Sequence, residues 1–131
     1  MRSDYAVGDT LEPLVLTVDG PSMKVFSVIM SDPNPIHFDP EFVESLGLGG
    51  KTVNQGTISM AYPINALLRL VDDPGDLLRF RCRFQANLLE GDVVTVTGSV
   101  TAVDDETVSF DLWVDREDGL RALTCSADLR R

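Results

Sequence analysis

The stretch SDPNPIHFD, residues 31–39, holds the chain's only histidine. Asp32 and His37 stand five positions apart, and Pro33 and Pro35 keep the residues between them out of a helix. A loop that folds back brings such a carboxylate and imidazole into one small volume. A carboxylate and a neutral imidazole that share a water can take a proton from it and later return one, which is general base and general acid chemistry. That chemistry needs pre-set geometry, because small misplacement costs much rate. Asn34 and Asp39 suit bonds to nearby backbone that hold the loop in shape. The plainer reading is a turn capped by Asp32 with His37 as an ordinary loop residue, and the spacing alone is compatible with both.

A second candidate is Gln55-Gly56-Thr57, at the start of an apolar helical segment. Free backbone N–H groups and the positive end of the helix dipole meet there. A glycine lets a ligand oxygen approach the backbone closely. A thioester carbonyl bonded at that point becomes more acidic at its α-carbon, because the developing enolate is stabilised. The alternative is that Gly56 only marks a tight turn.

These residues need elements to position them. Leu11 to Val18 is an apolar run suited to a strand, with Pro13 favouring an edge or irregular start. Ser22 is placed to cap a short helix over Met23 to Met30, with Phe26 and Met30 at helical spacing. Pro40 opens a second short helix, Glu41 to Leu46, closed by Gly47. Gly56 to Val71 is apolar nearly all round, the pattern of a buried helix, with Pro63 inside it predicting a kink. Residues 72–76 end it.

The period then changes to two. Phe80, Cys82 and Phe84 share one face, as do Val94, Val96, Val100 and Ala102. Val108, Phe110, Leu112 and Val114 do the same, then Leu123, Cys125, Ala127 and Leu129. Asp104-Asp105 and Asp118-Gly119 fall at the turns. The order predicts an α+β architecture, an antiparallel sheet wrapped around one long central helix. Half-apolar edges on such a sheet pair with a second copy, so a dimer is expected.

The 131 residues contain no linker, repeat or low-complexity stretch and read as one domain, 1–131. No apolar run reaches the roughly 18 residues of a membrane span, and MRSDYAVGD lacks the apolar core of a signal peptide. Cys82 and Cys125 lie in strand-like apolar contexts and read as small hydrophobes of a reducing compartment, so a cytoplasmic location is expected. One histidine and no CxxC leave no metal site. The formal charge of −10 repels nucleic acid over most of the surface. A polyanionic ligand then requires a local basic patch. Arg79, Arg81 and Arg83 alternate on one strand face, with Lys51 in a loop, and either meet phosphates or form salt bridges with the many acidic residues. Trp113 reads as an interface residue or as half-covered, and Tyr62 as core or pocket lining.

DPNPIHFD followed by QGTIS resembles the MaoC-like, (R)-specific enoyl-CoA hydratase/dehydratase family. Its pattern is a G/S-D-x-N-P-L/I-H-x-D loop and then an H-G-M segment opening the central helix. Asp32, Asn34, Pro35, His37 and Asp39 coincide with the loop. Gly91 and Asp92 match the family's "GD" turn, and the element order matches its hot-dog fold over nearly the whole chain. The resemblance implies hydration of a trans-2-enoyl thioester to a (3R)-3-hydroxyacyl thioester, or the reverse. The thioester carrier would be coenzyme A or acyl carrier protein, with no further cofactor. It puts the catalytic pair on Asp32 and His37 and the carbonyl-binding N–H on Gly56. Asn34, Gln55, Thr57 and Ser59 become substrate-binding candidates. It also implies a homodimer or a heterodimer with another hot-dog chain. The sequence departs from the pattern at Gln55, where the family has His, at Thr57, where it has Met, and at Pro63. A thioesterase is the competing reading, disfavoured because Gly56 to Val71 holds no carboxylate. A non-catalytic subunit is disfavoured because Asp32 and His37 are both present.

Overall fold

The alternating segments become strands in a computed structural model, which describes residues 4–131. They are β2 (Leu77–Phe84), β3 (Val93–Val103), β4 (Thr107–Arg116) and β5 (Arg121–Arg130). With β1 (Leu14–Thr17) they form one antiparallel sheet in the order β1-β3-β4-β5-β2. Register follows burial. Val94, Val96, Val100, Val108, Phe110, Leu112, Val114, Leu123 and Leu129 all face inward and are almost wholly buried. Each such side chain contributes about 1.5–3 kcal/mol of burial, and a one-residue slip would turn the set outward. Gly98 leaves room where Leu11 packs, since a Cβ there would sit 2.7 Å from the Asp111 carbonyl oxygen and 3.0 Å from Leu11 Cδ1.

The concave face of the sheet receives α3 (Gly56–Leu68), which packs on β2, β3 and β4. This is the hot-dog arrangement that the sequence predicts. Pro63 lies within α3 and is buried. The helix stops three residues before the predicted Val71: Leu70 N–H turns back to Leu67 O at 2.9 Å, and Pro74 opens a 3-10 turn, Pro74–Asp76. Among the described residues no helix is long and apolar enough to cross a membrane.

The first helix also differs from its predicted bounds. It is α1 (Gly20–Ile29), and its cap is Asp19 rather than Ser22. Asp19 has extended backbone, its carboxylate accepts the Ser22 N–H at 3.0 Å, and Pro21 is tolerated in the first turn. This helix buries Met23 and Ser27 and leaves Val25, Val28 and Ile29 in solvent. The second helix, α2 (Pro40–Ser45), begins at the predicted proline, with Asp39 as cap. Cys82 and Cys125 are opposite each other across β2 and β5, both as thiols, with Sγ atoms 3.6 Å apart. Cys125 is buried as expected, and Cys82 only half-buried.

Candidate active site

Asp32 reaches its position because α1 ends abruptly. Ser31 takes a left-handed φ of 51°, uncommon for a residue with a side chain. The chain reverses there, and Asp32 N–H donates to Ser27 O at 2.9 Å. Asp32 Oδ1 accepts the Asn34 N–H at 3.1 Å, and Asn34 Oδ1 accepts the Ile36 N–H at 3.3 Å. Those bonds start the 3-10 turn Pro35–His37, which swings the imidazole inward.

His37 Nδ1 lies 2.7 Å from Val53 O. A carbonyl only accepts, so Nδ1–H donates, and the neutral ring presents the Nε2 lone pair on its other side. Nε2 is 3.5 Å from Asp32 Oδ2. The imidazole is 11% exposed and the carboxylate 37%, so the pair has one dry member and one wet member. Val53 is itself pinned: its N–H donates to Ile36 O at 2.8 Å, and the next residue, Asn54, donates from N–H to Leu88 O at 2.8 Å.

The same segment runs into α3. Gln55 is the cap residue, but its side chain makes no capping bond. Its Nε2 instead donates to Met23 O at 2.9 Å and Ser27 Oγ at 3.0 Å, tying α3 to α1, while Oε1 is buried without a partner among the described residues. As the first residue of α3, Gly56 has an N–H beyond the reach of intrahelical bonding. Asp32, His37, Gln55, Gly56 and Thr57 share a cleft of about 490 Å³, walled by Phe26, Met30, Met60 and Phe84. The Phe84 ring lies over the glycine, with Cζ 3.4 Å from where a Cβ on residue 56 would be.

Two other candidates lie elsewhere. Asn34 does not line this cleft, and its side chain starts the 3-10 turn. Ser59 is buried on another side of α3, where its Oγ accepts from Asn54 Nδ2 at 2.9 Å. The same amide donates to Tyr62 Oη at 3.2 Å, and burial raises the Tyr62 pKa against the lowering effect of that bond. Sequence reasoning missed the Val53 carbonyl and the place of Phe84 in the cleft wall. A backbone acceptor leaves no trace in residue types, and Phe84 reads from its alternation as an inward core residue, yet it is 53% exposed.

A comparison with protein families matches the MaoC like domain over residues 5–115. Among curated proteins none matches in sequence. Several solved structures share the fold. The unliganded R-hydratase PhaJ1 from Pseudomonas aeruginosa has a TM-score of 0.84 at 20% identity, covering 95% of this chain and 81% of that one. The (R)-hydratase from A. caviae involved in PHA biosynthesis has a TM-score of 0.81 at 22% identity, covering 97% of each chain. The C-terminally truncated HadBC (3R-hydroxyacyl-ACP dehydratase) complex from Mycobacterium tuberculosis has a TM-score of 0.79 at 19% identity, covering 99% of this chain and 100% of that one. At these identities the likeness carries the fold.

Proposed function

The chain belongs to the MaoC-like domain family, and on that premise we propose that it adds water to trans-2-enoyl thioesters, giving (3R)-3-hydroxyacyl thioesters, or runs the reverse dehydration. One observation carries the reading. Two proton acceptors, His37 Nε2 and Asp32 Oδ2, converge at 3.5 Å in the cleft that also holds Gly56. Two acceptors cannot bond to each other without a proton between them, and one water donating to both supplies it.

In the forward direction the pair takes a proton from that water as its oxygen bonds to C3 of the enoyl group. The C2–C3 π electrons move toward the thioester carbonyl, whose oxygen accepts the Gly56 N–H as negative charge develops. The pair then returns a proton to C2. Water supplies both added parts, so no further cofactor enters. Both parts come from one site and add to one face of the double bond. The thioester is carried by coenzyme A or acyl carrier protein.

The names of the similar structures, two hydratases and a dehydratase, support this reading, as does the absence of any carboxylate in α3 for a hydrolase to use. Pairing with a second hot-dog chain, the same or different, is part of the proposal. It is supported by β2, which ends the sheet order with one unpaired edge, and by the exposed apolar residues of α1. The test is loss of enoyl-thioester absorbance on adding the protein to trans-2-enoyl-CoAs of increasing length, with chiral analysis of the product. Hydration to the 3R product is expected. A 3S product, or no turnover on any chain length or carrier, contradicts the proposal.

A further inference from the structure

We propose that the outer face of the sheet carries a separate binding site for a nucleoside phosphate, formed by Arg81, Arg83 and Trp113. It lies on the opposite side of the sheet from the Asp32–His37 cleft and does not depend on the reaction proposed there. The register builds two rungs across β4, β5 and β2. One runs Asp111–Ser126–Arg81 and the other Trp113–Thr124–Arg83. Their neighbours Leu112, Cys125 and Cys82 take the inward face, so these six side chains point outward. A groove of about 420 Å³ follows the rungs. Ser126 and Thr124 give it a small hydroxyl floor, with the arginines along one wall and Trp113 and Asp111 along the other. Walls two strands apart are separated by roughly 10 Å, enough for a planar ring or a phosphate between them.

Among the arginines on the strands, only Arg81 and Arg83 lack an ion pair, as Lys24, Lys51 and Arg69 do elsewhere among the described residues. In this chain of net charge −10, Arg79 pairs with Asp128, Arg116 with Asp118, Arg121 with Asp115 and Arg130 with Asp76. Arg81 and Arg83 have no carboxylate within ion-pair distance among the described residues. Two uncompensated guanidinium forks on one wall suit a phosphate, which accepts several charge-assisted hydrogen bonds at once. The opposite wall suits a different group. Trp113 offers an aromatic surface, already covered on one side by the Arg121 guanidinium 5.0 Å from the ring centroid. Asp111 makes no side-chain hydrogen bond or ion pair among the described residues, so it is free to accept from an amino or hydroxyl group and disfavours a second anion. A ligand with phosphate at one end and a hydrogen-bond-donating aromatic ring at the other fits both walls.

Trp113 is the chain's only tryptophan, so its fluorescence reports on the groove directly. Titration with adenosine 5′-monophosphate is expected to give a saturable change, with inorganic phosphate and adenosine each binding far more weakly. Arg81→Gln and Arg83→Gln, both surface changes whose folding is checked by near-ultraviolet circular dichroism, are expected to weaken the monophosphate roughly ten- to a hundredfold. The proposal is overturned by a flat titration, by unchanged affinity in both variants, or by phosphate alone binding as tightly as the nucleotide.

Discussion

His37 Nδ1 donates to the Val53 carbonyl at 2.7 Å, which fixes the tautomer and aims Nε2 at Asp32. A buried backbone acceptor thus sets the chemistry of a side chain on another loop. His37→Ala removes the base and strands that carbonyl. Turnover is expected to fall by about 10²- to 10⁴-fold, with a stability loss of about 1–3 kcal/mol. Steady-state kinetics and a denaturant melt check the two effects separately.

Gly56→Ala tests the carbonyl site. The position is helical with no positive φ, so the backbone tolerates alanine and the melting temperature should hold or rise. The new methyl meets Phe84 at 3.4 Å and crowds the N–H that the thioester needs. A fall in kcat/KM of about tenfold is expected, a loss of about 1.4 kcal/mol of transition-state binding. Phe84→Ala in the same background should recover part of it. Unchanged kinetics would remove Gly56 from the site.

Gln55 ties the two helices together, and Ser27 joins that tie to the catalytic loop. Its Oγ accepts from Gln55 Nε2 at 3.0 Å, and its carbonyl accepts the Asp32 N–H at 2.9 Å. Gln55→Leu keeps the volume and loses both donations. We expect about 1–3 kcal/mol lower stability and a drop in kcat larger than the change in KM, as Asp32 loses its support. A variant with unchanged melting would show that the tie carries no energy.

Alkali should weaken the fold through Cys125. Burial, with the neighbouring Cys82, pushes this thiol well above its ordinary value of 9.0. Below that value the folded and unfolded chains both hold the proton, and its stabilising effect is fully present. As pH rises past it, the unfolded thiol ionises and the folded one does not. Stability then falls, at a limiting slope of about 1.4 kcal/mol per pH unit, until the folded thiol also ionises. Urea midpoints from pH 8 to 10.5 should decline more steeply for wild type than for Cys125→Ala.

The sequence showed the sheet and the loop for local reasons. Alternation set the inward faces of β4, of β5 and of β3 as far as Val100, where a register shift leaves Ala102 exposed rather than inward as its spacing predicts, and two prolines with Asp32, Asn34 and His37 marked a shaped loop. What stayed hidden depends on long-range placement. Phe84 alternates like a core residue, but it lies at the end of β2, where its ring stays half-exposed beside the first residue of α3 and walls the cleft. Phe26 and Met30 carry helical spacing, but the face of α1 that is buried belongs to Met23 and Ser27, and these two line the cleft instead. Asp19 outcompetes Ser22 as the helix cap because only the backbone before Gly20 is extended. Arg79, Arg81 and Arg83 look equivalent in sequence, and the register alone gives Arg79 its aspartate.

The most direct test compares wild type with Asp32→Asn on trans-2-enoyl-CoAs, following loss of enoyl-thioester absorbance. Asparagine keeps the shape and can no longer accept a full proton. The account predicts folded protein with turnover reduced by about 10²-fold or more and KM little changed. Hydration by Asp32→Asn at nearly the wild-type rate would contradict it, because the Asp32–His37 pair would then not be the group that activates water.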